Sequence, residues 1–149
     1  MGWSPYKAKE VLATEGLITG YYQPYIEEEW SASSNYFEID DNVIPNNIAY
    51  YIEGNSHAVE TLKLNLNVND PENAGSAHAK MVSCAKLLYR FALNEDISKT
   101  ILDVLFVGKS NELQIGDKFI SVYKNCWHEH RLKGYNLKLT IGIVKHTNK

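Results

Sequence analysis

The chain has 149 residues, with 15 Lys and Arg against 18 Asp and Glu, and a formal net charge of −3. A chain of this length buries enough surface to fold as one domain without a disulfide or structural metal, and its two cysteines make no disulfide framework. No apolar run approaches the ~18 residues of a membrane span, so no membrane partner is expected.

The start, MGWSPYKAKE, has neither the basic n-region nor the apolar h-region of a signal peptide. The N-myristoylation pattern fails because Tyr6 stands where Ser or Thr is needed. The expected compartment is the cytoplasm, where Cys84 and Cys126 stay reduced, or the periplasm if a leader has been removed.

Residues 5–15 read as a short helix capped by Ser4, with Pro5 first, Val11 and Leu12 inward and Gly16 at its end. Residues 17–25 are β-prone but broken by Gly20 and Pro24. Residues 31–34 read as a turn or loop, 35–39 as a short strand and 40–47, with Pro45, as a loop. A strand over 48–53 leads to a turn at Gly54, Asn55 and Ser56. Residues 61–69 carry the clearest strand signal: Leu62, Leu64, Leu66 and Val68 alternate with Lys63, Asn65, Asn67 and Asn69. Such alternation belongs to an antiparallel sheet with one face packed and one wet.

Asp70 and Pro71 then start a helix that runs to Leu93. Ala77, Met81, Cys84, Ala85, Leu88, Phe91 and Ala92 form one broad apolar stripe on it. Residues 94–96 break the chain and cap a second helix over 97–107, ended by Gly108. After a turn at Gly116 and Asp117, residues 118–126 read as a strand. A last strand has Tyr135, Leu137, Leu139, Ile141 and Ile143 on one side, and it pairs antiparallel with the one before. Strands and helices come in blocks, so the expected class is α+β, with a mostly antiparallel sheet of about five or six strands and two or three helices on one face. A single domain over residues 1–149 is expected.

The charge is unevenly placed. Residues 1–60 carry two basic and ten acidic side chains, a net of −8, and residues 61–149 carry thirteen and eight, a net of +5. No Lys or Arg lies between Glu10 and Leu62, yet that stretch holds eight of the seventeen aromatics. A concentrated negative field steers a positive partner, and aromatics anchor the contact once formed. The densest candidate surface is Tyr21, Tyr22, Tyr25, Glu27, Glu28, Glu29 and Trp30, joined by Asp40 and Asp41.

Other chemistries find less support. His128 and His130 form an H-x-H pair of the kind that ligates metal, but zinc needs a further ligand and no second cluster has telling spacing. Cys84 falls on an apolar stripe, and Cys126, beside Lys124 and His128, lies in no nucleophile motif. Consecutive acids are not the facing carboxylates of a glycosidase, nor is their spacing that of an EF-hand loop. The nine glycines form no phosphate-cradling loop. Lys124, Arg131, Lys133 and Lys138 belong to no nucleic-acid module, so no nucleic-acid partner is expected.

The expected function is therefore that of a small, acidic, non-enzymatic module without a cofactor, binding a basic protein such as a bacterial toxin or effector. An immunity protein set over a toxin's basic active site fits this description by size and charge. The alternatives are a secretion chaperone or accessory subunit in a homo-oligomer, and a metal-dependent hydrolase built on His128 and His130.

Overall fold

The computed structural model describes residues 2–127 and 134–145. Eight strands form one antiparallel sheet: β1 (Gln23–Pro24), β2 (Trp30–Ser33), β3 (Phe37–Glu38), β4 (Asn47–Gly54), β5 (Val59–Val68), β6 (Asn111–Ile115), β7 (Lys118–Cys126) and β8 (Tyr135–Ile143). Their order is β1-β2-β4-β5-β8-β7-β6, with β3 also pairing β4. The helices are α1 (Pro5–Glu10), α2 (Ala74–Leu93) and α3 (Lys99–Val107). The α+β class holds, with two more strands than the upper expectation.

The central strands set the architecture. On β5 the side chains of Leu62, Leu64, Leu66 and Val68 are fully buried. They lie in register with Ile141, Leu139 and Leu137 of β8 on one side and Ile52, Tyr50 and Ile48 of β4 on the other. Helix α2 packs on this face against β5 and β8, and α1 packs against β5. The predicted stripe on α2 is buried except for Phe91, which is half-buried. Near the start of the chain, Trp3 pairs with Val59 and its indole donates to the Ala92 carbonyl at 3.1 Å, tying α2 to the edge of the core.

Several local expectations change. Only residues 5–10 of the first helix are α-helical; a 3₁₀ turn at Ala13–Glu15 follows, and Gly16 closes it at φ 87°. The helix start at Asp70 is a 3₁₀ turn over Pro71–Asn73, with α2 beginning at Ala74. Ser98, not residues 94–96, caps α3 by accepting from the Ile101 amide. Residues 17–25 contribute only the short β1 and an isolated bridge at Thr19.

The serine-rich 31–34 segment is not a turn. Residues 30–33 form β2 on β4. Ser34 then donates its amide to the Tyr50 carbonyl at 2.8 Å, while its Oγ accepts from the Tyr50 amide at 2.9 Å. The hydroxyl stands in for a backbone carbonyl and carries the ladder from β2 towards β3. Residues 111–115 had no strand reading, yet they form β6, because β7 offers a free edge and a two-residue turn at Gly116 and Asp117 returns the chain.

Tyr50 is fully buried and its hydroxyl donates to the Ala8 carbonyl at 2.9 Å, joining sheet to α1. Burial pushes its phenol well above the ordinary 10.0. Tyr50→Phe leaves that carbonyl unpaired and is expected to cost about 1–2 kcal/mol in urea unfolding. Because the folded pKa is raised, the wild type holds its full contribution below pH ~10 and loses it as pH rises through the folded value. The variant should show a shallower alkaline loss of stability; an equal slope in both proteins would contradict this assignment.

Candidate functional site

The helices leave the other sheet face open. Asn47, Asn67, Asn136 and Asn125 stand in one row across β4, β5, β8 and β7. Asn136 donates to Asn67 at 3.1 Å and to Asn65, and Asn67 donates to Asn47 at 3.0 Å. These amides satisfy one another and keep the face polar without water-hungry gaps.

Beside this row lies an open trough of about 1080 Å³. Ser31, Ser33, Tyr51, Thr61 and Asn65 contribute to its floor. One wall carries Tyr21, Tyr25, Glu28, Glu29 and Trp30. Lys63, Lys138 and Lys145 also line it, with Lys63 paired to Glu53 and Lys145 to Glu60 at 3.5 Å. Burial, then a hydrogen bond and charge from Tyr36, raise the Tyr51 phenol to about 12, so it stays neutral. The trough is thus mixed in charge, with its unpaired acids on the rim.

That rim is the β1–β2 hairpin. The Tyr25 amide donates to the Glu29 carbonyl at 2.8 Å and the Glu29 amide to the Ile26 carbonyl at 2.9 Å, closing a tight turn. Glu27 occupies the turn at φ 53°, in the left-handed region that glycine ordinarily fills. Tyr21 is 84% exposed and Tyr25 72%, while Glu27, Glu28 and Glu29 are all exposed.

The predicted surface is therefore divided. Tyr22 turns the other way: its ring lies 5.7 Å from Trp30 and its hydroxyl donates to the Asn55 carbonyl at 2.7 Å. Burial, with the Glu60 charge second, raises its phenol to about 12. Tyr22 and Trp30 brace the hairpin, while Tyr21 and Tyr25 are presented by it. Asp40 and Asp41 lie at the far end of β4, roughly 20 Å of strand away. Asp40 accepts from the Asn42 and Asn46 amides at 3.2 and 3.3 Å and so holds its own loop; Asp41 is exposed.

The catalytic alternatives gain nothing from the geometry. His128 and His130 lie outside the described residues. Among the described residues no group of three or more His, Cys, Asp or Glu could hold a metal ion. Both cysteines are free; Cys84 is buried, and burial raises its thiol to about 12, an inert state. Cys126 is exposed.

One polar cluster centres on His78, on the inward face of α2. His78 is buried, with Nδ1 at 2.7 Å from the Leu105 carbonyl and Nε2 at 2.5 Å from the Tyr135 hydroxyl. A carbonyl only accepts, so Nδ1 carries hydrogen; in the neutral ring Nε2 then accepts from Tyr135. Lys124 lies over the Tyr135 ring at 4.3 Å. The cluster joins α2, α3 and β8, and Gly108, at φ 71°, leaves the room that a Cβ would take 2.9 Å from His78.

No family model matches the chain, and no curated protein or solved structure matches it.

Glu27→Gly tests the hairpin directly. Relief of the left-handed strain is expected to stabilise the fold by about 1 kcal/mol, read as a higher midpoint in urea. A lower midpoint would mean that the Glu27 side chain supports the turn.

Proposed function

We propose that this protein is a small, non-enzymatic binding module that engages a basic partner protein through the β1–β2 hairpin. One observation carries the reading. Tyr21, Tyr25 and Ile26 are all more than half exposed around a turn whose Glu27, Glu28 and Glu29 are three consecutive exposed carboxylates. Apolar side chains scattered singly need no explanation; this clustering on an acidic stretch does. Tyr21, Tyr25 and Ile26 supply contact area, and Glu27, Glu28 and Glu29 supply the field that brings a cationic surface to them.

The lysines of the trough limit how the partner sits. Lys63 and Lys145 already occupy the Glu53 and Glu60 carboxylates of the trough and Lys138 adds a cation there, so the acids left to meet a basic partner are those of the rim. A toxin or effector with a basic active site is the kind of partner this surface suits, which makes an immunity or inhibitor role the specific form of the proposal. The retained strain at Glu27 fits a site where side-chain chemistry matters more than turn stability.

A pull-down from native lysate at low and high salt tests the reading, with a Glu27/Glu28/Glu29→Lys variant alongside. Capture of one basic protein, weakened by salt and lost in the variant, is the expected result. With that protein in hand, Tyr21→Ala and Tyr25→Ala should each cost about 1–2 kcal/mol of binding by calorimetry. Equal capture by the charge-reversed variant, or no capture, would sink the proposal.

A further inference from the structure

The acidic hairpin occupies one side of the sheet; the opposite side ends at β6, which pairs only with β7 in the strand order of the described residues. This edge is lightly protected: it carries one charge, the exposed Glu112, whose outward amide donates to Asn111 Oδ1 at 2.8 Å. Residues 111–115, Asn-Glu-Leu-Gln-Ile, contain no Pro and no Lys, and their pairing with β7 runs without a register shift. Helix α3, which leads into β6, leaves Phe106 66% and Val107 61% exposed.

The ladder fixes which backbone groups point away from β7. A two-residue turn joins Ile115 to Lys118, so that pair exchanges hydrogen bonds, and alternation makes Leu113 with Ile120 and Asn111 with Val122 bonded pairs too. Glu112 and Gln114 therefore aim their amides and carbonyls away from β7. Their side chains lie on the open face, opposite Ser121 and Phe119, while Leu113, opposite buried Ile120, lies on the helix side.

We infer that this edge pairs with β6 of a second copy of this chain, antiparallel and centred on Leu113. In that register Glu112 of each copy faces Gln114 of the other, and their outward groups make four backbone hydrogen bonds once each Glu112 amide exchanges its 2.8 Å bond to Asn111 Oδ1 for the facing carbonyl. Lys109 of each copy falls opposite Asp117 of the other, where it joins Lys118, already 2.7 Å from that carboxylate, as a second cation outside the zipped segment. Moving the centre to Glu112 would set Glu112 against its own copy, a like-charge pair, and moving it to Gln114 would take Lys109 away from Asp117, so charge favours the Leu113 centre. The two Leu113 side chains then meet in a non-bonded pair on the helix side. The sheet would run unbroken through the dimer, and the two acidic hairpins would stand at its outer ends.

The test is the solution mass of the full chain by light scattering across the micromolar range, with two kinds of variant. Gln114→Pro removes an outward amide that β7 does not use, so the fold should persist, as far-UV circular dichroism and a cooperative melt would show. In a Cys126→Ser background, Leu113→Cys should form a disulfide-linked dimer on mild oxidation, since a non-bonded pair brings its Cα atoms within disulfide range. Glu112→Cys in the same background should not, because its copy lies diagonally across. The expected outcome is a wild-type dimer, a Gln114→Pro monomer and crosslinking at 113 alone. A wild-type monomer throughout, or crosslinking at 112 rather than 113, would overturn the inference. So would a dimer that Gln114→Pro leaves intact with no crosslink at 113. The crosslinking arm decides the matter even if the proline variant fails to fold.

Discussion

The pairing of β5 between β4 and β8 is the constraint on which the rest depends. Side chains alternate strictly along a strand, so a slip of one residue on β5 would carry Leu62, Leu64, Leu66 and Val68 into water and Lys63 and the asparagines into the core. Two neighbours with matching alternation make that slip costly on both sides at once. Helix α2 seals the apolar face, and the polar face is left bare as a consequence. The asparagine row and the trough are what the unsealed side of the sheet looks like when its register is held this firmly.

The uneven charge takes a different form in three dimensions. The lysine-rich later half folds back on the acidic first half: Lys80 reaches the Glu15 carboxylate at 3.3 Å, and Lys63 and Lys145 reach Glu53 and Glu60. Exposed or half-exposed pairs of this kind contribute little to stability. They do redistribute the field. Glu15, Glu53 and Glu60 are thereby neutralised, while among the described residues Glu27, Glu28 and Glu29 at the hairpin turn form no ion pair. The negative surface is thus narrower than the composition of residues 1–60 implies.

The two sides of the sheet differ in the same physical sense. The β1–β2 side ends in a charged, strained turn with presented tyrosines. The β6 side ends in a regular strand with a single charge, Glu112, and with the Glu112 and Gln114 backbone groups outward. Charge favours unlike surfaces and a regular strand edge accepts a similar one. This contrast underlies the separate readings of the hairpin and of β6.

The sequence by itself determined the class, the central strands β4, β5, β7 and β8, and the inward face of α2, because those rest on periodicities that burial enforces locally. It also pointed to the aromatic and acidic residues that line the trough wall. It did not separate Tyr21 and Tyr25 from Tyr22 and Trp30, since which ring faces out depends on how the hairpin sits on β4. Asp40 looked equivalent to the glutamates until the 40–47 loop folded around it. β2 and β6 were not legible, one because a serine hydroxyl replaces a carbonyl in its ladder, the other because its strand state comes from the neighbouring β7 edge. His78 hid within an apolar stripe, its partners Leu105 and Tyr135 supplied by distant parts of the chain. In each case the deciding interaction joins residues far apart in sequence, so only the tertiary structure could supply it.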